Sequence, residues 1–195
     1  MINTLKKLNP RLKAVIFDWD GTLYDSMDLW NHLASDYLKQ KGIKFQEDVD
    51  QIVAKMTLEE SANYFKKKYA MKESSLQIRQ EISEFMENRY VYDMHWKANG
   101  IQEIKEIKKN GILIGIATSS DSALVKKILR KDQMETYIDC IVTCEEVQAD
   151  KTKPNVYEEV CKNLRVSPFE CIVVEDEVYA YETAKKAGFL CVLVS

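Results

Sequence analysis

Five short runs of apolar, mostly β-branched residues punctuate the chain: Ala14–Phe17, Ile112–Ala117, Tyr137–Thr143, Cys171–Val174 and Leu190–Val194. They are nearly continuous rather than alternating, the pattern of strands covered on both faces, and so predict a parallel sheet. Between the later runs lie segments of helical period, Asp121–Lys131, Pro154–Leu164 and Glu177–Ala187. That alternation predicts right-handed βαβ units and a doubly wound α/β core. The first gap is different. From Tyr24 to Asn110 only helical patterns occur, Asp28–Gln40, Leu58–Tyr69 and Ser74–Tyr92, with Ile101–Lys109 as the crossover helix. The predicted organisation is therefore a core built from residues 1–22 and 96–195, interrupted by an all-helical insertion over 23–95.

In an open α/β sheet, ligands bind beyond the carboxyl ends of the strands, at the topological switch point. Those ends carry polar groups here. The first run breaks on Asp18-Trp19-Asp20-Gly21-Thr22, and the second on Thr118-Ser119-Ser120-Asp121 before a helix. The third is followed by Asp150-Lys151-Thr152-Lys153-Pro154, and the fourth ends in Glu175-Asp176-Glu177. Clustered carboxylates suit a hard cation such as Mg²⁺. A hydroxyl at a helix N-terminus, with free backbone amides, suits a phosphoryl group. A lysine supplies fixed positive charge to phosphate oxygens. Taken singly, each residue reads as a turn former, a helix cap or a charge placed toward the helix dipole. Four such sites at successive strand ends point instead to one phosphate-handling centre.

These motifs resemble those of the haloacid dehalogenase superfamily, in the branch of phosphatases and phosphomutases with a helical cap inserted after the first motif. FDWDGTLYDS is similar to that family's D-x-D-G-T signature, IGIATSSDS to its second motif and VVEDEVYAYETAKKAG to its fourth. The resemblance implies a Rossmann-like core, a cap that closes over the carboxyl edge of the sheet, and Mg²⁺ as cofactor. It implies Asp18 as the nucleophile, forming an aspartyl-phosphate, and Asp20 as the general acid and base. Thr118 and the Ser119 amide would bind the phosphoryl group. Mg²⁺ would be held by Asp18, the Asp20 backbone carbonyl and Asp176, with Glu175 as a secondary candidate. The third motif departs from the family pattern. Aligning Pro154 and Tyr157 with it places the functional lysine at Lys151, with Thr152 where a proline is common and Lys153 as the rival. In the fourth motif Glu177 and Ala180 stand where serine and glycine are frequent.

The resemblance leads to a phosphatase acting on a small phosphorylated metabolite. A sugar phosphomutase of the β-phosphoglucomutase kind is the alternative, although VAKMTLEESANYF lacks the glycine and arginine those mutases usually carry in the cap. Dehalogenation is disfavoured because those relatives lack the second aspartate. A non-catalytic module on the same fold is a further reading, opposed by the intact acid set.

Composition narrows the partners. The 195 residues carry a net charge of −3, and the lysine pairs and triplets all fall in or beside helical segments, so no nucleic-acid surface is expected. No apolar run approaches the about 18 residues of a membrane span, and MINTLKKLNPRLK has no signal-peptide apolar region. Five cysteines without metal-type spacing read as small buried thiols in a reducing compartment, which makes a cytoplasmic location the expectation. His32 and His95 lie in or beside the insertion and are not needed by this chemistry, and the aromatic set Tyr64, Phe65, Tyr69, Phe85, Tyr90, Tyr92 and Trp96 reads as insertion core rather than a stacking platform. Lys55 is a candidate for substrate contact, a solvated lysine being the plainer reading.

Overall fold

The computed structural model describes residues 2–54 and 56–194, so Lys55 lies outside the described residues. In chain order, α1 (Ile2–Leu8) precedes β1 (Ala14–Phe17) and a two-residue strand β2 (Tyr24–Asp25). Four helices follow: α2 (Met27–Gln40), α3 (Val49–Val53), α4 (Leu58–Lys68) and α5 (Ser75–Tyr92). The chain returns through β3 (His95–Trp96), α6 (Gly100–Lys109), β4 (Leu113–Thr118), α7 (Ser122–Lys131) and β5 (Cys140–Thr143). It closes with α8 (Asn155–Leu164), β6 (Cys171–Glu175), α9 (Val178–Lys186) and β7 (Leu190–Leu193).

The main sheet has five parallel strands in the order β5-β4-β1-β6-β7. From β1 the chain moves outward on one side, to β4 and β5, then crosses back to β6 and β7 on the other. The carboxyl end of β1 is therefore the switch point of a doubly wound sheet. All four β1 residues are buried, which is why the strand reads as an unbroken apolar run. Ala14 and Ile16 pack with Ala117, Val156, Tyr157, Val160, Val173 and Ala184 on the face covered by α8 and α9. Val15 and Phe17 point the other way by strand alternation. Each fully buried Val, Ile or Phe contributes about 1.5–3 kcal/mol.

The chain divides into two compact units, residues 1–25 with 95–195, and 26–94. The helical unit builds its own core from Tyr37, Leu38, Val49, Ala62, Phe65, Ile78 and Ile82, edged by Tyr64, Tyr69 and Phe85. Its helices start where the sequence carries capping boxes. Thr57 accepts from the Glu60 amide while Glu60 accepts from the Thr57 amide, and Ser74 and Gln77 repeat the arrangement.

Several expectations are corrected. β2 and β3 pair antiparallel as a separate ribbon, with Tyr24 opposite Trp96 and Asp25 opposite His95. Both strands lie in a stretch read as wholly helical, and two residues are too few to show a period of two. Trp96 consequently belongs to the core unit, edge-on to Trp19 and Tyr24, and Tyr92 is 61% exposed rather than packed. The Tyr137–Thr143 run splits into a 3-10 turn, Glu135–Tyr137, and the shorter strand β5. Helices α1 and α3 were not expected. Cys161 and Cys171 are buried, whereas Cys140, Cys144 and Cys191 are only partly so. Among the described residues no helix is long and apolar enough to cross a membrane.

Gly115, in the middle of β4, lies directly under α8. A Cβ there would lie 2.3 Å from Val160 Cγ1, far inside contact distance, and a β-branched valine cannot swing aside. Gly115→Ala should destabilise the protein by about 1–3 kcal/mol, the scale of overpacking. Combining it with Val160→Ala should cost less than the two single changes added together. Urea unfolding of all three variants measures this, and strict additivity would contradict the close approach.

Candidate active site

The site grows from the register of the sheet. Phe17 stands abreast of Ile116 in β4 and Val174 in β6, so the next residues of all three strands emerge at one edge. Asp18 is held there by its backbone, whose amide donates to the Val174 carbonyl at 2.9 Å. The chain must then turn at once. Gly21 takes φ +83°, a conformation that costs glycine least, and its amide donates to the Tyr24 carbonyl at 2.8 Å. Trp19 is fully buried against Tyr24, ring centroids 5.2 Å apart, and anchors the turn from below by packing rather than chemistry.

Lys151 reaches the same point from the loop between β5 and α8. Its Nζ donates to Asp18 Oδ1 and to Glu175 Oε1, the latter at 2.8 Å. Lys151 is 4% exposed, Asp18 5% and Glu175 0%, so this is a buried ammonium between two buried carboxylates. Lys153 is exposed. Lys151 is therefore the lysine that meets Asp18. Tyr157, on the first turn of α8, donates its hydroxyl to Glu175 Oε1 at 2.7 Å.

One ammonium does not balance two carboxylates. Burial pushes the Asp18 carboxyl up to about 8, with Lys151 pulling it down and Glu175 pushing it further up. Burial also raises Glu175, against the pull of Lys151. Burial disfavours the Lys151 charge, but Asp18 and Glu175 outweigh that and hold the ammonium above its ordinary value. With both carboxylates ionised the centre is short of one positive charge, which a proton or a cation can supply. Asp18 Oδ2 and Glu175 Oε2 are both buried without a hydrogen-bond partner. Asp18, Glu175 and Asp176 each offer a carboxylate oxygen within 4.8 Å of the others, a donor set of the kind that holds a hard divalent cation.

The remaining expected residues are placed around this cluster. Asp176 is half-buried and its Oδ1 lies 3.4 Å from Thr22 Oγ1. The Asp20 carboxylate is not part of the acid cluster, and its Oδ2 accepts from Ser120 Oγ at 2.5 Å. Thr118 is fully buried at the end of β4, where its Oγ1 accepts from the Ser120 amide at 2.9 Å. Ser119 is exposed, its Oγ 3.4 Å from Cys144 Sγ. Asp121 caps α7, accepting from the Ala123 amide at 2.7 Å. His32 and His95 are exposed, and neither belongs to the acid cluster. Three contacts escaped the sequence reading: the Tyr157 and Ser120 hydroxyls and the Thr22 hydroxyl beside Asp176. Their signal was present, because each lies in or next to a motif already quoted, but only the folded chain shows which acid each hydroxyl meets.

The model of the haloacid dehalogenase-like hydrolase family matches residues 15–194, nearly the whole chain. The chain belongs to that family. A phosphorylated carbohydrates phosphatase of Thermotoga maritima is 28% identical over 179 residues, covering 91% of this chain and 82% of that protein. A beta-phosphoglucomutase of Bacillus subtilis is 27% identical over 192 residues, covering 93% and 82%. A solved Thermotoga maritima structure, provisionally assigned as a beta-phosphoglucomutase, superposes with a TM-score of 0.78 at 25% identity, covering 91% of this chain and 82% of that one. The fold is thus the Rossmann-like core of the haloacid dehalogenase-like hydrolases with an inserted all-helical unit.

In this family member the buried lysine has a structural consequence that is separate from turnover. Removing one partner of a buried ion pair costs about 3–5 kcal/mol, because the charge left behind has no compensation. Lys151→Ala should therefore lower the unfolding free energy on that scale in EDTA-treated protein. Lys153→Ala, at an exposed position, should stay within about 0.5 kcal/mol of the parent. Chemical denaturation of the two variants distinguishes them, and equal losses would contradict the buried triad.

Proposed function

We propose that this chain is a Mg²⁺-dependent phosphatase that hydrolyses a small phosphorylated metabolite through an aspartyl-phosphate on Asp18. The observation that carries the reading is the state of Asp18. It sits buried at the switch point of the sheet, one carboxylate oxygen fixed by Lys151 and the other without a partner. Fixing one oxygen orients the carboxylate before substrate arrives, which is the positional part of catalysis.

Asp18, Glu175 and Asp176 fit the cation by their chemistry, with two orphaned buried oxygens among them. The Asp20 backbone carbonyl would complete the set expected from the family. When bound, Mg²⁺ supplies the charge neutralisation that lets an anionic carboxylate approach an anionic phosphoryl group. Asp18 attacks phosphorus, and the bond from phosphorus to the ester oxygen breaks as Asp20 gives that oxygen a proton. Water then attacks the aspartyl-phosphate while Asp20 takes its proton, and phosphate leaves with Asp18 restored. Lys151 holds Asp18 and meets the phosphoryl oxygens with fixed positive charge, while Thr118 and the Ser119 amide receive them from the other side.

The name of the Thermotoga maritima phosphatase makes phosphosugars the first substrates to test. The Bacillus subtilis mutase supports a second reading, in which the phosphoryl group passes to another hydroxyl of the sugar. VAKMTLEESANYF, without glycine or arginine, favours hydrolysis.

The decisive experiment uses an activated aryl phosphate and a panel of phosphosugars, with and without Mg²⁺, reading inorganic phosphate release. Asp18→Asn should be inactive and carry no phosphate. Asp20→Asn should turn over about 10²- to 10⁴-fold more slowly on poor leaving groups. It should nevertheless accumulate phosphate on Asp18 from the aryl ester, seen by mass spectrometry. Lys151→Ala should lose at least about 10²-fold in turnover. Independently of activity, Mg²⁺ should raise the melting temperature of the parent, and Asp176→Asn should abolish most of that rise. Wild-type turnover by Asp18→Asn, or phosphate found on another residue, would overturn the mechanism.

A further inference from the structure

We infer that Ser120 is a positioning residue for the acid–base step, acting through Asp20; the inference rests on the phosphatase reading above. Three observations converge on it. First, the Ser120 hydroxyl donates to Asp20 Oδ2 at 2.5 Å, across 100 residues of sequence. An O–H···O⁻ bond of that length is at the short, charge-assisted end of the range. Second, Ser120 is itself held. Its amide donates to Thr118 Oγ1 at 2.9 Å, and Thr118 is buried at the end of β4, so the serine backbone is tied to the rigid sheet. Third, the two partners follow neighbouring parallel strands of fixed register, Asp20 three residues and Ser120 four residues beyond the Phe17–Ile116 pair. That register brings the two segments to the same edge of the sheet.

Asp20 needs such a support. It lies three residues past the last paired position of β1, in a turn whose next residue has positive φ. The orientation of its carboxylate decides whether the proton reaches the ester oxygen. Proton transfer requires the acid within hydrogen-bond reach of the ester oxygen. A hydroxyl that grips Oδ2 fixes the plane of the carboxylate, and the grip is compatible with both halves of the cycle. When Asp20 is ionised Ser120 donates to it, and when Asp20 carries the proton the carbonyl-like oxygen still accepts. Ser120 touches neither phosphorus nor the ester oxygen in this account. It works by keeping Asp20 aimed, and the Thr118 side chain links that aim to a residue expected to receive the phosphoryl group.

The test is the dependence of kcat/KM on the leaving group, since kcat/KM covers steps up to departure of the alcohol. An alkyl phosphate needs a proton on its leaving oxygen, whereas 4-nitrophenyl phosphate barely does. Ser120→Ala should lower kcat/KM for an alkyl phosphate by about 10- to 100-fold, part of the about 10²- to 10⁴-fold available from acid–base help. The loss on the aryl ester should be several-fold smaller. Ser120→Thr, which keeps the hydroxyl, should restore the alkyl ester activity. Ser120→Val, of the same shape without the hydroxyl, should not. In the background of Asp20→Asn, Ser120→Ala should add little, because the two act as one unit. An equal loss on both esters, rescue by valine as good as by threonine, or full additivity with Asp20→Asn would each overturn the inference and leave the phosphatase reading intact. A wild-type protein that hydrolyses neither ester would overturn the phosphatase reading itself.

Discussion

The structure turns on a lysine ammonium buried between two carboxylates. Lys151 comes from a loop, Asp18 from the end of β1 and Glu175 from the end of β6, so one cation ties together three distant segments of chain. Burying such charges is costly, and a buried ion pair rarely stabilises a protein more than an apolar replacement would. On the proposed reading its value is chemical. The low-dielectric setting strengthens every charge the centre meets, and the deficit of one positive charge makes the centre ready for another cation. Tyr157 and the sheet register serve the same end, since they fix Glu175 and Asp18 before any ligand is present.

The sheet supplies that rigidity. β1 is buried along its whole length and pairs on both sides, with β4 and β6, so its carboxyl end cannot shift without breaking two ladders. The close approach of α8 at Gly115 sets the same helix that carries Tyr157 against β4. Packing deep in the core and hydrogen bonding at the site are therefore coupled through one element. The β2–β3 ribbon, with Trp19 stacked on Tyr24 and Trp96 edge-on to both, closes the turn that holds Asp20. Trp96 in turn donates from Nε1 to Asp132 Oδ2 at 2.8 Å, which fastens the ribbon to the end of α7.

The helical unit is organised by different forces. Tyr37 stacks on Phe65 at its centre and meets Phe85 edge-on, and the two capping boxes define where α4 and α5 begin. Around them run ion pairs such as Lys41 with Glu73 and Glu81, at 3.1 and 2.8 Å. Partly exposed pairs of this kind contribute little, typically under about 1 kcal/mol each, so the aromatic core carries the unit's stability. Its residues include no counterpart to the carboxylate cluster of the other unit among the described residues.

The sequence by itself determined the strand and helix alternation and the acids at the strand ends. Each of these is a local pattern, and local patterns survive in one dimension. Asp18, Asp20, Lys151 and Asp176 could be proposed for that reason, and the family resemblance set Lys151 before Lys153, the lysine that the structure brings to Asp18 being Lys151. The tertiary structure decided what depends on distance. It showed that Glu175, a secondary candidate in the sequence, is the most buried acid of the cluster, because β6 is a central strand and its last residue stays inside. It split the Tyr137–Thr143 run and created a ribbon from residue pairs too short to announce themselves. It also joined Ser120 to Asp20 and Tyr157 to Glu175, contacts between side chains whose sequence positions hold no trace of one another. Hydrogen bonds form between atoms about 3 Å apart, and only folding settles which atoms those are.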